Sequence, residues 1–116
     1  MRLTDLRVRT DKWYMVGFSP VLEKYVLAIT VGWLGNYERY YEISRGEYER
    51  TLTVPDALDK LAEELFKAVN KSSRFICSGK IDENTDEQSA LAEKLFKEKN
   101  EFYSAHPEAV TDFVRY

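Results

Sequence analysis

The sequence predicts an α+β fold. An antiparallel sheet of three to four strands, drawn mainly from the N-terminal half, packs against two main amphipathic helices, with short extra helices. Three observations predict it. The first 44 residues are rich in β-branched and aromatic side chains. The remainder carries apolar residues at helical spacing. Strands precede helices rather than alternating with them, which separates α+β from α/β. At 116 residues the chain is expected to form one domain, 1–116, with no repeat, low-complexity tract or linker to divide it.

Strands are predicted at 12–19, 24–33 and 36–43. Pro20 opens the first connection because it cannot donate to a ladder. Leu34-Gly35-Asn36 suits a three-residue hairpin loop, glycine or asparagine supplying positive φ. If Trp33 pairs with Tyr37, then Trp13, Met15, Tyr25, Leu27, Ile29, Val31, Trp33, Tyr37, Tyr41 and Ile43 share one face. Tyr14, Val16, Phe18, Val26, Ala28, Thr30, Glu38, Tyr40 and Glu42 share the other. That second face is half apolar, so a helix or a partner should cover it. Arg39 falls on the inward face, where a charge needs a partner or an edge.

Ser44 and Glu47 have the spacing of a capping box, so a short helix is predicted at 45–52. Pro55 suits a first helical turn. Leu58, Leu61, Ala62, Leu65, Phe66 and Val69 then make the stripe of a helix at 55–70. The apolar run RFICS, 74–78, reads as a fourth strand. Thr85 and Gln88 form a second capping box. It starts a helix at 86–103 striped by Leu91, Ala92, Leu95, Phe96, Phe102 and Tyr103. A last short helix is expected at 107–114, docked by Val110, Phe113 and Val114.

Composition excludes several functions. The formal net charge is −3, against the basic stripe that phosphate-backbone binding requires. Charge is also uneven: residues 1–80 carry 13 basic and 11 acidic side chains, residues 81–116 carry 4 and 9. A local acidic surface favours a basic protein partner through steering. The N-terminus MRLTDLRVRTDKW lacks the apolar run of a secretory signal, and the segment 25–34 is too short to span a bilayer. Cys77, the single cysteine, cannot form an internal disulfide, so a soluble, cytoplasmic protein is expected.

No motif spells out a reaction. His106 is the only histidine, too few for a triad or a multi-histidine metal site, and its place before Pro107 suits a helix end. Cys77 sits in an apolar run as a small buried hydrophobe. Carboxylate pairs such as Glu63/Glu64 are solvated faces unless a cleft desolvates them. Phosphate-loop, dinucleotide and nucleophile-elbow patterns are missing. Asp82, Asn84, Asp86 and Glu93 match the spacing of a calcium loop. However, Glu87 stands where that loop needs glycine, and a capped acidic helix start explains the same residues. No enzyme activity, cofactor or metal is expected.

The order YYEISRGEYE, then ALDKLAEELFKAV, then SSRFICSGKID resembles small bacterial immunity proteins of contact-dependent inhibition and polymorphic-toxin systems. The resemblance spans 33–82. It implies a bacterial, cytoplasmic, non-enzymatic protein that binds one cognate toxin domain, often a basic nuclease, and blocks it by occlusion. It fixes no functional residue. The candidate contacts come from the acidic and tyrosine-rich segments: Glu38, Tyr40 and Glu42, with Asp82, Glu83, Asp86 and Glu87. No nucleic acid or membrane is expected to bind directly. The competing expectation is a small regulatory domain that binds a ligand or ion on the same sheet.

Overall fold

A computed structural model describes residues 1–32 and 34–108. The sheet has five strands in sequential order, every neighbouring pair antiparallel: β1 Thr4–Arg9, β2 Tyr14–Ser19, β3 Lys24–Gly32, β4 Asn36–Ile43 and β5 Phe75–Ser78. The helices are α1 Arg45–Thr53, α2 Asp59–Ala68 and α3 Asp86–Ala105. The α+β class holds, but the sheet has one more strand than three to four. The extra strand is β1. Its ladder breaks between Thr4 and Arg7, where Asp5 has φ 53°. That irregularity spoils the alternation that marks a strand in sequence. It also lets Leu3 and Leu6, three apart, join the same core cluster.

Helices cover both faces of the sheet. On one, Leu27, Ile29, Tyr41 and Ile43 pack with Tyr48 of α1 and with Ala62 and Leu65 of α2. On the other, Val26, Ala28 and Cys77 pack with Leu91, Ala92 and Leu95 of α3. The half-apolar second face is therefore covered by α3. Arg2 helps hold that helix, its guanidinium 3.9 Å from the Phe102 ring centre and 3.4 Å from Glu98.

The β3–β4 register differs from the expected one by two residues: Val31 pairs with Tyr37 and Leu27 with Tyr41. β3 ends at Gly32 and β4 begins at Asn36, with Leu34 and Gly35 at φ 43° and 109°. A shift of two preserves the faces, so the expected faces of β3 and β4 stand. Those of β2 are reversed. Val16 pairs with Leu27 and Tyr14 with Ile29, which puts Tyr14 and Val16 in the α2-side core and Met15 against the α3 side. The connection 20–23 has an even number of residues, so odd positions of β2 oppose even positions of β3. Trp33, expected to pair with Tyr37 and face inward, lies outside the described residues. So does nearly all of the helix expected at 107–114.

Both capping boxes form. Ser44 Oγ accepts from Glu47 N at 3.0 Å and Glu47 Oε1 from Ser44 N at 2.8 Å. Thr85 and Gln88 do the same for α3. The second helix is shorter than its stripe. Residues 54–58 make tight turns, Ala57 N to Val54 O at 3.0 Å and Asp59 N to Asp56 O at 3.1 Å. Proline fits such a turn as well as a helix start. At the far end Val69 leaves the helix at φ 56°. There the Tyr41 hydroxyl reaches Val69 O at 2.6 Å and Leu65 O at 3.1 Å, sharing one proton between two terminal carbonyls. Cys77 is fully buried, and burial pushes its thiol up to about 11. His106 caps α3, its N–H donating to Phe102 O at 2.9 Å.

Candidate functional site

Arg39 finds its partner in Glu83. Ala28 of β3 and its partner Tyr40 of β4 pack on the α3 side, so Arg39 projects the other way, its Nη1 donating to Phe66 O of α2 at 3.4 Å. The short turn Ile81–Glu83 after β5 returns Glu83 to meet it. Arg39 Nε donates to Glu83 Oε1 at 2.9 Å and Nη2 to Oε2 at 2.8 Å. Tyr37 and Ser78 hydroxyls add bonds to the same carboxylate, each at 2.8 Å. The side chains are 9% and 11% exposed, so this planar fork is screened from water. Burial alone would raise the Glu83 carboxyl. The guanidinium and two hydroxyls outweigh it and hold the group at about 2.

That pairing changes the candidate contact set. Glu83 is committed inside the fold and offers no surface charge. Next to it, the Asn84 amide pairs with the end of β5, accepting from Ser78 N at 2.8 Å and donating to Ser78 O at 2.9 Å. This use of Asn84 explains part of the calcium-like spacing. Among the described residues no group of three or more His, Cys, Asp or Glu is placed to hold a metal ion.

The remaining candidates divide. Glu38 and Tyr40 line a cleft of about 470 Å³ between β4, β5 and α3. Tyr40 is half-buried in the second core, and its hydroxyl accepts from the Met1 ammonium at 3.3 Å. Asp82 is exposed beside the cleft, 3.7 Å from Lys80 Nζ. Asp86 and Glu87 are exposed in the first turn of α3. Asp86 shares a helical stripe with the cleft-lining Ser89, Glu93 and Phe96. Glu42 does not join them. It lies at the opposite end of β4, exposed and paired with Lys24 at 2.8 Å.

The cleft also contains one residue that the sequence pattern misassigned and one that it did not single out. Phe96 was expected in the buried stripe of α3, yet it is 63% exposed, and Ile81 is 78% exposed. Both line the cleft. Phe96 sits one position past Leu95, at the margin of the stripe, and periodicity alone does not say how far a neighbouring surface extends. Lys99 lines the cleft too. Burial lowers its ammonium from the ordinary range, while Glu38 pulls it back up. Lys99 and Glu38 thus offset each other in the lining, Lys80 stands beside Asp82, and Glu93 is exposed on α3.

Elsewhere two more carboxylates are held by guanidinium groups. Arg9 grips Asp59 with two bonds, Nε to Oδ1 at 3.0 Å and Nη2 to Oδ2 at 2.7 Å, and Tyr14 donates to Oδ1 at 2.5 Å. The guanidinium holds the Asp59 carboxyl below its usual range. Glu47 is held low in the same way by Arg74, at 2.9 and 3.0 Å. No helix among the described residues is long and apolar enough to cross a membrane. No family model, curated protein or solved structure was found to match the chain.

Proposed function

We propose that this protein acts by binding another protein, as an immunity protein that occludes the toxic domain of a cognate bacterial toxin in the cytoplasm. One observation carries the reading. Around one cleft, exposed Ile81 and Phe96 stand beside Glu38, Glu93, Asp82 and Asp86. Apolar anchors within a charged rim are the composition of a protein-docking surface. The acids favour a partner with a basic face, as a nuclease domain has, and speed its encounter.

At three carboxylates the electrostatics run against a catalytic acid. Asp59, Glu83 and Glu47 are each held below their ordinary range by a guanidinium. General acid–base work at neutral pH asks for the opposite displacement. Co-expression with any toxic C-terminal domain that an adjacent upstream reading frame encodes tests the role. The wild-type protein restores growth of the host. A folded wild-type protein that neither binds nor rescues would end the immunity reading.

A further inference from the structure

Arginine is held in a recurring way in this fold. The Arg2 guanidinium lies 3.9 Å from the Phe102 ring centre, and its Nε donates to Glu98 Oε1 at 3.4 Å. Glu98 and Phe102 are four apart on α3, so one turn of helix supplies both carboxylate and ring. Arg39 repeats the arrangement in the interior. Glu83 takes its fork, while the Phe66 and Tyr37 ring centres lie 5.5 and 5.8 Å from the guanidinium carbon. The face of an aromatic ring attracts a guanidinium within about 6 Å. A carboxylate adds charge-assisted hydrogen bonds in the plane of the fork.

A third carboxylate and ring stand together without an arginine. Glu93 and Phe96 are three apart on α3, neighbours on one stripe, and both line the cleft. Both are exposed. Among the described residues Glu93 joins no ion pair and Phe96 no ring or cation contact. Lys99, also in the lining, is drawn electrostatically to Glu38 rather than to Glu93. Exposed Ile81, from the turn after β5, adds apolar surface to the same cleft.

We propose that Glu93 and Phe96 anchor an arginine side chain of the partner protein, its guanidinium forked on the carboxylate and stacked on the ring, its aliphatic stem along Ile81. The anchor rests on the docking reading and names the group that the cleft grips. Arginine is specified over lysine because an ammonium is a compact, strongly hydrated charge with no planar face to stack and no fork to match a carboxylate.

The test titrates the isotope-labelled full chain with acetyl-Leu-Arg-Leu-amide and with its lysine and citrulline counterparts, followed by amide resonances. Saturable shifts centred on Glu93 and Phe96 are expected with the arginine peptide. The other two peptides should bind about tenfold more weakly or worse. Glu93→Gln and Phe96→Leu should each weaken the arginine peptide by about fivefold or more at unchanged melting temperature. A lysine peptide that binds as tightly, or binding indifferent to either variant, would overturn the anchor. So would shifts that do not saturate, or that centre on Glu98 and Phe102 through displacement of Arg2. The peptides need no toxin, so the anchor and the docking reading fail separately. Arginine-peptide binding without rescue from any toxin would uphold the anchor. A rescued toxin domain that binds both variants with full affinity would overturn it and leave the docking reading standing.

Discussion

Arg39 and Glu83 are 44 residues apart and form the most enclosed charge pair among the described ion pairs. Removing one member leaves a buried charge without its partner, which typically costs about 3–5 kcal/mol. Glu83→Gln should therefore destabilise the protein by roughly 3 kcal/mol at neutral pH, read from urea unfolding. The folded carboxyl at about 2 lies below its ordinary 4.5. Its stabilisation is thus complete above about pH 4.5 and is lost as pH falls toward about 2. The wild type should lose stability across that window, and Glu83→Gln should lose less, keeping the share that Asp59 and Glu47 contribute. A variant with the same acid profile as wild type would show that another carboxylate governs it. At this scale the sequence is half legible. The parity of β4 marks Arg39 as a charge needing a partner, but only the tertiary fold decides which of 20 acidic residues supplies it. The same pairing rules Glu83 out of any charge-reversal test of the surface, since reversal there would break the fold.

At the scale of elements, local chemistry was legible and pairing was not. Both capping boxes are contiguous four-residue signals, and both form. Thr85→Ala should cost about 1 kcal/mol and fray the start of α3, seen as faster amide exchange in its first turn. Strand faces depend on whether a connecting loop is odd or even in length; the expected strand ends at 19 and 24 already leave an even connection, which sets odd positions of β2 against even positions of β3, and the faces expected for β2 did not follow from it. β1 was hidden for a related reason. Its irregularity at Asp5 breaks the two-residue period, and its fit over β2 depends on a missing side chain. A Cβ at Gly17 would lie 2.8 Å from Thr4 O and 3.1 Å from Leu3 Cβ. Gly17→Ala should push β1 outward and destabilise by about 1–3 kcal/mol, with loss of protection confined first to residues 3–9. Unchanged stability would mean that β1 gives way at little cost.

For the whole molecule, the two layers of helices give each face of the sheet a different task. The α2 side closes the larger core. The α3 side closes the smaller core and leaves the acid-rimmed cleft. The sequence separated an acidic C-terminal third from the rest, and it singled out Glu38 and Tyr40 by alternation. It did not show that these segments meet, because β5 and the turn after it bring residues 81–93 alongside β4. Of the tyrosine-rich stretch, Asn36, Tyr37, Glu38 and Tyr40 line the cleft, Tyr37 also bonding to Glu83, while Tyr41 is buried in the core. The docking account is tested most directly by calorimetric titration of this protein against the toxin domain proposed as its partner, comparing two variants of unchanged melting temperature. Asp82→Lys with Asp86→Lys and Glu93→Lys should weaken the complex and flatten its salt dependence. Ile81→Asp with Phe96→Asp should cost about 2 kcal/mol or more of binding. A one-to-one complex that keeps full affinity and salt dependence in both variants would contradict the account and move the interface off this cleft.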